Sequence, residues 1–294
     1  LKNNKIKWIC AAKESSLKDA IANANPKYSI KTATNYLDVL KDEEVDAVAI
    51  VTPGSTHYNL AKEALLSNKH VLVEKPLAFN SKNVIELIKI SNKKNKILMV
   101  GHLHRFNPAI QKIKEDVQSG LFGKINYVNS FGANKGPVRS DMGVLWDFLP
   151  HDLTILLYLL DDYPLSISAN GASYLKNGVE DVVTLDVKFP KNIFALAIGT
   201  WLYPYKKREL FISGEKLSAV FDDYAIEDKV KYYYKNNGYY APKISSNKPL
   251  YEQLKHFLYC IENEKIPLTS GYDGLKVVSI LEPAEKSLKN NGKM

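Results

Sequence analysis

The stretch that decides the fold lies between residues 45 and 76 and reads VDAVAIVTPGSTHYNLAKEALLSNKHVLVEKP. Its first seven residues form a nearly continuous apolar run, which is typical of a parallel strand buried on both faces. A helix is predicted over residues 57–67, and a second apolar run follows at residues 70–73. Strands of about five residues separated by helices of ten to fifteen indicate right-handed β-α-β units and a parallel sheet.

The alternation of strands and helices continues on both sides of this stretch. Ahead of it, a strand is predicted at residues 6–11 and helices at 15–23 and 36–41. Behind it, a helix at 81–94 leads to a strand at 97–101. The first third of the chain therefore predicts an α/β fold with a doubly wound parallel sheet.

The rest of the chain is predicted to be built around an antiparallel sheet. After Asn107-Pro108 one helix runs to about Ser119, and Gly120 and Gly123 are expected to end it. Segments with alternating apolar residues, separated by turn residues, then dominate, as an antiparallel sheet requires. They lie at residues 125–131, 166–174, 182–189, 193–201, 208–213 and 218–221, with helices at 153–160, 251–263 and 273–290. This change of pattern predicts two domains, 1–107 and 108–294.

Composition argues against several classes of protein. The chain of 294 residues carries a formal net charge of +8 and is 45% hydrophobic, which is ordinary for a globular protein. Its lysines are dispersed and no DNA- or RNA-binding motif occurs, so nucleic acid is not expected as a partner. No apolar run reaches the roughly 20 residues that span a bilayer, so no membrane is expected. Cys10 and Cys260 stand far apart, which favours a reducing, cytoplasmic compartment.

Polar residues follow three of the predicted strands, where ligands bind in doubly wound sheets. They are Thr52, Pro53 and His57 after the first of these strands, Glu74 and Lys75 after the second, and His102, His104, Arg105 and Asn107 after the third. Each group taken alone could be a solvated loop. Their occurrence at successive strand ends predicts one polar crevice.

A fourth cluster, Leu145-Trp146-Asp147-Phe148-Leu149-Pro150-His151-Asp152, precedes an apolar helix. Asp147 and His151 are four residues apart, so on a helical turn they would face the same side. A carboxylate beside a histidine fixes its tautomer and raises its basicity, which suits a general base. A buried structural histidine is the alternative for His151, and Asp152 is expected to cap the helix that follows. No further ligands stand at a metal-site spacing, so no metal is expected.

Motifs spread along nearly the whole chain carry a family resemblance. They are Thr52-Pro53 with His57, Glu74-Lys75-Pro76, Gly101-His102, Arg105-Phe106-Asn107-Pro108, Trp146-Asp147, His151-Asp152 and Pro267-Leu268-Thr269-Ser270-Gly271. In this order they resemble the glucose–fructose oxidoreductase, inositol dehydrogenase and rhizopine-catabolism (Gfo/Idh/MocA) family, whose best single marker is Glu-Lys-Pro after a strand. The stretch from Arg139 to Asp152 is similar to nucleotide-sugar 3-dehydrogenases, which act on UDP-N-acetylglucosamine or its uronic acid.

The resemblance implies a Rossmann domain at residues 1–107 that holds NAD or NADP. It implies a substrate domain at 108–294 with a large open-faced sheet that joins subunits into a homodimer or homotetramer, and with the helix at 273–290 packed back on the first domain. In the implied catalytic site His151 is the base, Asp147 orients it, and Lys75 stabilises the developing alkoxide or relays the proton. The implied cofactor contacts are Ala12, Lys13, Thr52, Pro53, His57, Glu74, Lys75 and Arg105. The implied substrate contacts are Lys75, Arg105, Asn107, Arg139, Trp146, Asp147 and His151.

Two departures from the family pattern concern the cofactor. The family begins with a strand and a Gly-x-Gly-x-x-Gly turn that holds the pyrophosphate, whereas Gly54 is the first glycine of this chain. Truncation of the natural sequence is the favoured explanation, and a remnant that no longer binds cofactor is the alternative. The acidic residue that usually holds the adenosine ribose is replaced by Ala12, which Lys13 follows. NADP is therefore an option beside NAD, although Glu14 could take the acidic role.

The leading hypothesis is a dehydrogenase that uses NAD or NADP to oxidise a secondary hydroxyl of a sugar, in particular a nucleotide sugar. A free-sugar or polyol dehydrogenase of the inositol type is the enzyme alternative. A cofactor-less binding or regulatory protein is the other alternative, because a fold alone does not fix a function.

Overall fold

The first part of the chain alternates short parallel strands with helices. The computed structural model describes residues 5–24, 29–136, 138–139, 141–234, 238–290 and 292. Its first elements are β1 (Trp8–Cys10), α1 (Glu14–Ala24), β2 (Lys31–Ala33), α2 (Tyr36–Lys41), β3 (Ala47–Ile50), α3 (Gly54–Leu66), β4 (His70–Val73), α4 (Ser81–Lys94) and β5 (Leu98–Val100). All the strand pairs among them are parallel.

The apolar runs become buried strands for the reason that the sequence suggests. Val71, Val73 and Val100 have no exposed surface, since helices cover the sheet of β3, β4 and β5. The helix α4 begins where the Asn80 side chain accepts a hydrogen bond from the Asn83 amide at 2.8 Å, and it ends at Asn95 in the left-handed conformation. These caps fix where the chain enters and leaves the helix.

The parallel strands form two sheets instead of one. β1 pairs with β2, and β3, β4 and β5 pair in that order, but among the described residues no strand joins β1 to β3. Trp8 and Cys10 of β1 and Val48 of β3 nevertheless pack on the same small apolar cluster, so the two sheets lie side by side. Val51, at the carboxyl end of β3, is 74% exposed.

The second part is built around an eight-stranded sheet in the order β13-β12-β11-β10-β6-β9-β8-β7. Its elements are α5 (Pro108–Gln118), β6 (Ile125–Lys135), α6 (Val144–Asp147), α7 (Leu149–Leu160), β7 (Ser166–Ala172), β8 (Val182–Phe189), β9 (Ile193–Thr200), β10 (Leu202–Gly214), β11 (Leu217–Asp222), β12 (Val230–Tyr234), β13 (Tyr239–Tyr240), α8 (Pro249–Glu262) and α9 (Gly271–Lys289). Neighbouring strands are antiparallel except β6 and β9, which run parallel. The expectation of a mostly antiparallel second sheet is confirmed.

The last helix, α9, contacts both parts of the chain. A side chain at Gly274 would collide with Val100 of β5, so glycine allows a close approach there. Near the other end of the helix, the Ser287 hydroxyl accepts a hydrogen bond from the Ala169 amide of β7 at 3.1 Å. The helix begins with a capping box in which Ser270 and Asp273 each bond the other's backbone.

Several details differ from the expectations, among them the following three. The helix expected from residue 153 begins at Leu149, so Asp152 lies inside α7 and is not its cap. The strand β2 was not predicted, because Lys-Thr-Ala has neither an apolar run nor a clear alternation. The short helix α6 was not predicted either, since four residues are too few to show a helical period. No helix in the described ranges has the length and apolar character to cross a membrane.

Candidate active site

The centre of the candidate site is an ion pair between the two parts of the chain. Lys75 follows β4, and its ammonium lies 3.1 Å from Oδ1 of Asp147, the last residue of α6. The same ammonium donates to the backbone carbonyl of Asp147 at 2.5 Å. The two side chains are only 13% and 14% exposed. Each therefore holds the other in place at the carboxyl end of the parallel sheet.

The Asp147 carboxylate has two further partners. Arg139 places Nη1 at 3.6 Å from Oδ1, while its Nε donates to Asp141 at 3.1 Å. The indole of Trp201 donates to Oδ2 at 3.2 Å. Asp147 thus accepts hydrogen bonds on both oxygens and faces two cations.

The expectation that Asp147 orients His151 is not met by this geometry. The two residues lie on different helices, because α6 ends at Asp147 and α7 begins at Leu149. Pro150 has no amide to continue a regular helix, and the His151 amide bonds the carbonyl of Phe148, three residues back. Phe148, between the two helices, keeps an α-helical backbone (φ −97°, ψ −47°), but among the described residues no hydrogen bond joins Asp147 to His151, and Asp147 pairs with Lys75.

His151 is buried beside other histidines. Its ring packs edge-on against that of His104, with centroids 4.9 Å apart. Burial first, and then the positive charge of Lys75, lower the pKa of His151 well below its usual value. Burial also lowers the pKa of the neighbouring His102 to about 3. Both rings are therefore neutral near pH 7.

Of the two ring nitrogens of His151, only one can reach a ligand. Nδ1 is enclosed and has no hydrogen-bond partner among the described residues. The other nitrogen, Nε2, is therefore the one through which His151 could exchange a proton with a bound molecule.

The residues after β3 divide into exposed and structural ones. Thr52 and Pro53 are exposed at the carboxyl end of the strand. His57 is 1% exposed, and its two ring nitrogens contact the carbonyls of Pro76 at 2.7 Å and Thr52 at 2.8 Å. His57 therefore ties the loops after β3 and β4 together and does not itself face the crevice.

Glu74 lies beside Lys75 at the end of β4. Burial raises the pKa of its carboxyl group, which accepts a hydrogen bond from the Lys75 amide at 3.3 Å. A β-carbon on Gly101 would lie 2.8 Å from Glu74 Oε1, so the glycine at the end of β5 leaves room for the carboxylate in this position.

Five other predicted contacts are held elsewhere or lie at a distance. Arg105 stacks on Tyr158, with 4.2 Å to the ring centroid, and pairs with Asp273 at 3.6 Å. Asn107 caps α5 and donates to Asp223 at 3.0 Å, so both ends of its side chain are used. Trp146 is 4% exposed and packs edge-on against Phe79. Ala12 and Lys13 are exposed at the carboxyl end of β1, on the smaller sheet.

The sequence did not reveal Trp201 as part of this site. It follows β9 and is 2% exposed, so it resembles any core residue in an alternating strand. Its only signal is chemical, since it is one of three tryptophans and carries a polar N–H that a buried position must satisfy. No cluster of three or more metal-binding side chains occurs in the part of the chain that the structure describes.

Comparison with protein-family models gives matches over both parts of the chain. Residues 2–102 match the model of an oxidoreductase family with an NAD-binding Rossmann fold. Residues 110–220 match the model of the GFO/IDH/MocA C-terminal domain. Together the two matched ranges include Lys75, Asp147 and His151.

Two curated relatives and one solved structure are similar to the chain. UDP-N-acetylglucosamine 3-dehydrogenase of Acidithiobacillus ferrooxidans is 36% identical over 131 residues, which are 44% of this chain and 41% of that protein. Myo-inositol 2-dehydrogenase of Thermotoga maritima is 25% identical over 86% of this chain and 80% of its own length. A solved structure of the A. ferrooxidans enzyme shares the fold, with a TM-score of 0.83 and 23% identity over 96% of this chain and 89% of that one.

Proposed function

The chain belongs to the Gfo/Idh/MocA family of NAD-binding oxidoreductases, and from this premise we propose that it oxidises a secondary hydroxyl group of a sugar. Residues 1–107 would hold the cofactor and residues 108–294 the substrate. The observation that carries the proposal is the Lys75–Asp147 ion pair at the carboxyl end of the parallel sheet. The positive charge of Lys75 helps to lower the pKa of the nearby His151 ring. A cation and a neutral imidazole at this edge suit the removal of a proton from an alcohol.

The family's cofactor is NAD or NADP, and the residues at the sheet edge fit its nicotinamide end. The apolar Val51 is 74% exposed beside Thr52 and Pro53, which gives a flat ring a surface to pack on. Glu74 and Lys75 flank the same edge with hydrogen-bonding groups. The residues that would hold this end are therefore Thr52, Pro53, Glu74 and Lys75. No glycine precedes Gly54, so a Gly-rich pyrophosphate turn is not part of this sequence.

Each of the three central side chains has one role in the proposed reaction. The bound nicotinamide would supply the hydride acceptor. His151 takes the hydroxyl proton on Nε2, since its lowered pKa keeps the ring neutral and one ring nitrogen therefore carries no proton. Lys75 donates a hydrogen bond to the same oxygen as negative charge develops there. Asp147 orients the Lys75 ammonium, a role that replaces the expected contact with His151.

We propose a nucleotide sugar, UDP-N-acetylglucosamine or its uronate oxidised at the 3-position, as the leading substrate. One relative is named for this reaction. In addition, Lys135 at the end of β6 is exposed and takes part in none of the ion pairs of the described residues. It pairs in register with Leu202, the residue after Trp201, so the end of β6 lies beside the strand end that carries Trp201, and we propose that a diphosphate binds near it.

A free polyol such as an inositol is the second candidate, and charge pairing favours it. Arg139 is held by Asp141, and Arg105 by Asp273, so neither guanidinium is free to bind phosphate. Polyols are uncharged and need no such cation. The other relative is named as a myo-inositol dehydrogenase.

The test is to incubate the protein with NAD or NADP and a panel of UDP-N-acetylglucosamine, its uronate, myo-inositol and glucose. Formation of reduced cofactor is followed by absorbance. We expect oxidation of a nucleotide sugar, and reduction of neither cofactor with any of these compounds would overturn the proposal.

The Lys135→Ala variant separates the two substrate classes. We expect it to raise the KM for a nucleotide sugar about 2- to 5-fold, the change in affinity that the loss of one exposed ion pair causes. The KM for inositol should stay unchanged. Lys188→Ala is the matched control, because Lys188 is also exposed but lies at the opposite end of β8 from the site. Oxidation of inositol but not of nucleotide sugars would establish the polyol alternative.

The large sheet is also the proposed contact between subunits. Tyr127 stacks with Phe194 at 6.1 Å and packs against Phe211, so aromatic rings from three neighbouring strands share one face. We expect this face to join two or four copies, which light scattering would measure. Phe194 is 38% exposed, and we expect Phe194→Lys to shift the protein toward monomer.

A further inference from the structure

The two oxygens of the Asp147 carboxylate serve different partners. Oδ1 faces the ammonium of Lys75 at 3.1 Å and the guanidinium of Arg139 at 3.6 Å. Oδ2 accepts the indole N–H of Trp201 at 3.2 Å. Rotation of the carboxylate about its bond to the β-carbon would break the bond to Trp201. The indole therefore limits that rotation, and this keeps Oδ1 directed at Lys75.

Trp201 itself is anchored by a buried aspartate. Its backbone amide donates to the carbonyl of Asp181 at 2.8 Å, and the hydroxyl of Thr200 donates to the same carbonyl at 3.1 Å. Asp181 has no exposed surface, and its Oδ2 accepts the amides of Tyr174 and Leu175, each at 2.6 Å. The position of the indole is thus set by a fixed point of the backbone.

Glu180, the residue before Asp181, contacts the helix that carries Asp147, the acceptor of the Trp201 hydrogen bond. The Glu180 carbonyl accepts the Val144 amide at 3.0 Å, and its carboxylate accepts the amide of Leu145. Both amides belong to the first turn of α6, the helix that ends in Asp147. A side chain at Gly143 would collide with the Glu180 carboxylate, so glycine permits this contact. Residues 180 and 181 therefore fix both the donor Trp201 and the acceptor Asp147.

We propose that Trp201 is a positioning residue that acts on the reaction through Asp147, with Glu180 and Asp181 as its scaffold. The indole N–H is uncharged, so it occupies Oδ2 without drawing the carboxylate away from Lys75. Without it, Nη1 of Arg139, which lies 3.6 Å from Oδ1, competes with Lys75 for a carboxylate that can turn. The ammonium then loses its fixed direction toward the substrate oxygen. This inference rests on the proposed dehydrogenase function.

The kinetic test compares Trp201→Phe with Trp8→Phe. Phenylalanine keeps the aromatic ring and removes the N–H. Trp8 is the matched control, because its indole also donates to a carboxylate, Asp42 at 2.8 Å, far from the site in sequence and on another sheet. We expect Trp201→Phe to lower kcat about 10- to 100-fold, the range for one lost hydrogen bond to a charged group. The KM should stay within about 3-fold, and Trp8→Phe should leave both constants near those of the wild type.

Three kinetic outcomes would overturn the inference. A kcat within about 2-fold of the wild type would mean that the hydrogen bond has no role in catalysis. A KM that rises as much as kcat falls would mean that the indole touches the substrate. Equal losses in both variants would mean that each acts only through stability.

A second measurement does not depend on activity. The three tryptophans of the chain give three indole N–H signals in a nitrogen–proton correlation spectrum, and the signal missing from Trp201→Phe identifies Trp201. In Asp147→Asn we expect this signal to move and its hydrogen exchange to accelerate, while the Trp8 signal stays in place. An unmoved Trp201 signal in an active protein overturns the positioning role alone. A protein with no dehydrogenase activity whose Trp201 signal responds overturns the proposed function but keeps the geometry.

Discussion

The buried ion pair under the candidate site can be broken from either side, by Asp152→Asn or by Arg208→Met. Arg208 Nη1 lies 2.8 Å from Asp152 Oδ1, and the two side chains are 9% and 0% exposed. Ser130 also donates to Oδ1, and Oδ2 has no partner in the part of the chain that the structure describes. Removing one member of such a pair costs about 3–5 kcal/mol of unfolding free energy, because the other charge stays buried without compensation.

The two variants should differ in their dependence on pH. In Asp152→Asn the guanidinium stays charged at every accessible pH, so we expect the full loss at pH 6 and at pH 8. In Arg208→Met the carboxyl group can take up a proton. Burial already raises the pKa of Asp152 in the intact protein, even with Arg208 beside it, and removal of the cation raises it further. A carboxyl group whose pKa is higher in the folded than in the unfolded state stabilises the folded protein at low pH, and this stabilisation disappears as pH rises. The free energy of unfolding that Arg208→Met loses relative to the wild type should therefore be smaller at pH 6 than at pH 8.

The assay is urea-induced unfolding of the wild type, both single variants and the double variant, at both pH values. We expect the double variant to lose at least about 2 kcal/mol less than the sum of the single losses, because it leaves no charge unpaired. Ser130→Ala is the control variant, and we expect it to lose less unfolding free energy, since it removes one hydrogen bond and no charge. Additive losses, or an equal loss in Arg208→Met at the two pH values, would refute this reasoning.

The remaining predictions concern the two central side chains of the site. Lys75→Ala should lower kcat by at least about 100-fold with an unchanged circular dichroism spectrum, because it removes the cation that faces the reacting oxygen; near-normal steady-state turnover would contradict its role. For His151, burial lowers the folded-state pKa below the unfolded value, so this histidine contributes stability above about pH 6.5 that is lost as pH falls. Below pH 6.5, His151→Asn should therefore reduce the slope of the unfolding free energy against pH by up to about 1.4 kcal/mol per pH unit. Urea titrations at several pH values measure this slope, and an unchanged slope would mean that the ring is not neutral in the folded protein.

Regular elements with a clear period could be predicted from the sequence. The strand His70–Val73 and the helix Ser81–Lys94 have the predicted bounds, because a buried apolar run and an amphipathic stripe with end caps are local signals. The start of α7 was wrong by four residues, since Leu149 and Pro150 were assigned to the preceding loop. A proline is favourable in the first turn of a helix, where no amide is needed, so its position marks the start of α7 better than Asp152 does.

Pairings within the candidate site could be predicted only in part. The family resemblance placed Lys75 and the 145–152 cluster in one site, and the structure has Lys75 and Asp147 in contact. The partner of Asp147 was nevertheless assigned by spacing along the chain, which assumed one continuous helix. Arg105 and Asn107 were assigned to ligands by residue type, but Asp273 and Asp223 hold them. Those carboxylates are more than a hundred residues away along the chain, and no local sequence pattern predicts these pairings.

The sequence by itself determined the class of fold, the family and the chemical groups at the strand ends. Each of these depends on neighbours within a few residues, or on motifs whose order along the chain is enough to identify them. Only the tertiary structure decided that Asp147 serves Lys75, that Trp201 and residues 180–181 hold it there, and that Arg208 lies under the histidines. The physical reason is that a buried polar atom must find a partner wherever the packed chain offers one. That partner is fixed by how the sheets and helices meet in space, not by distance along the chain.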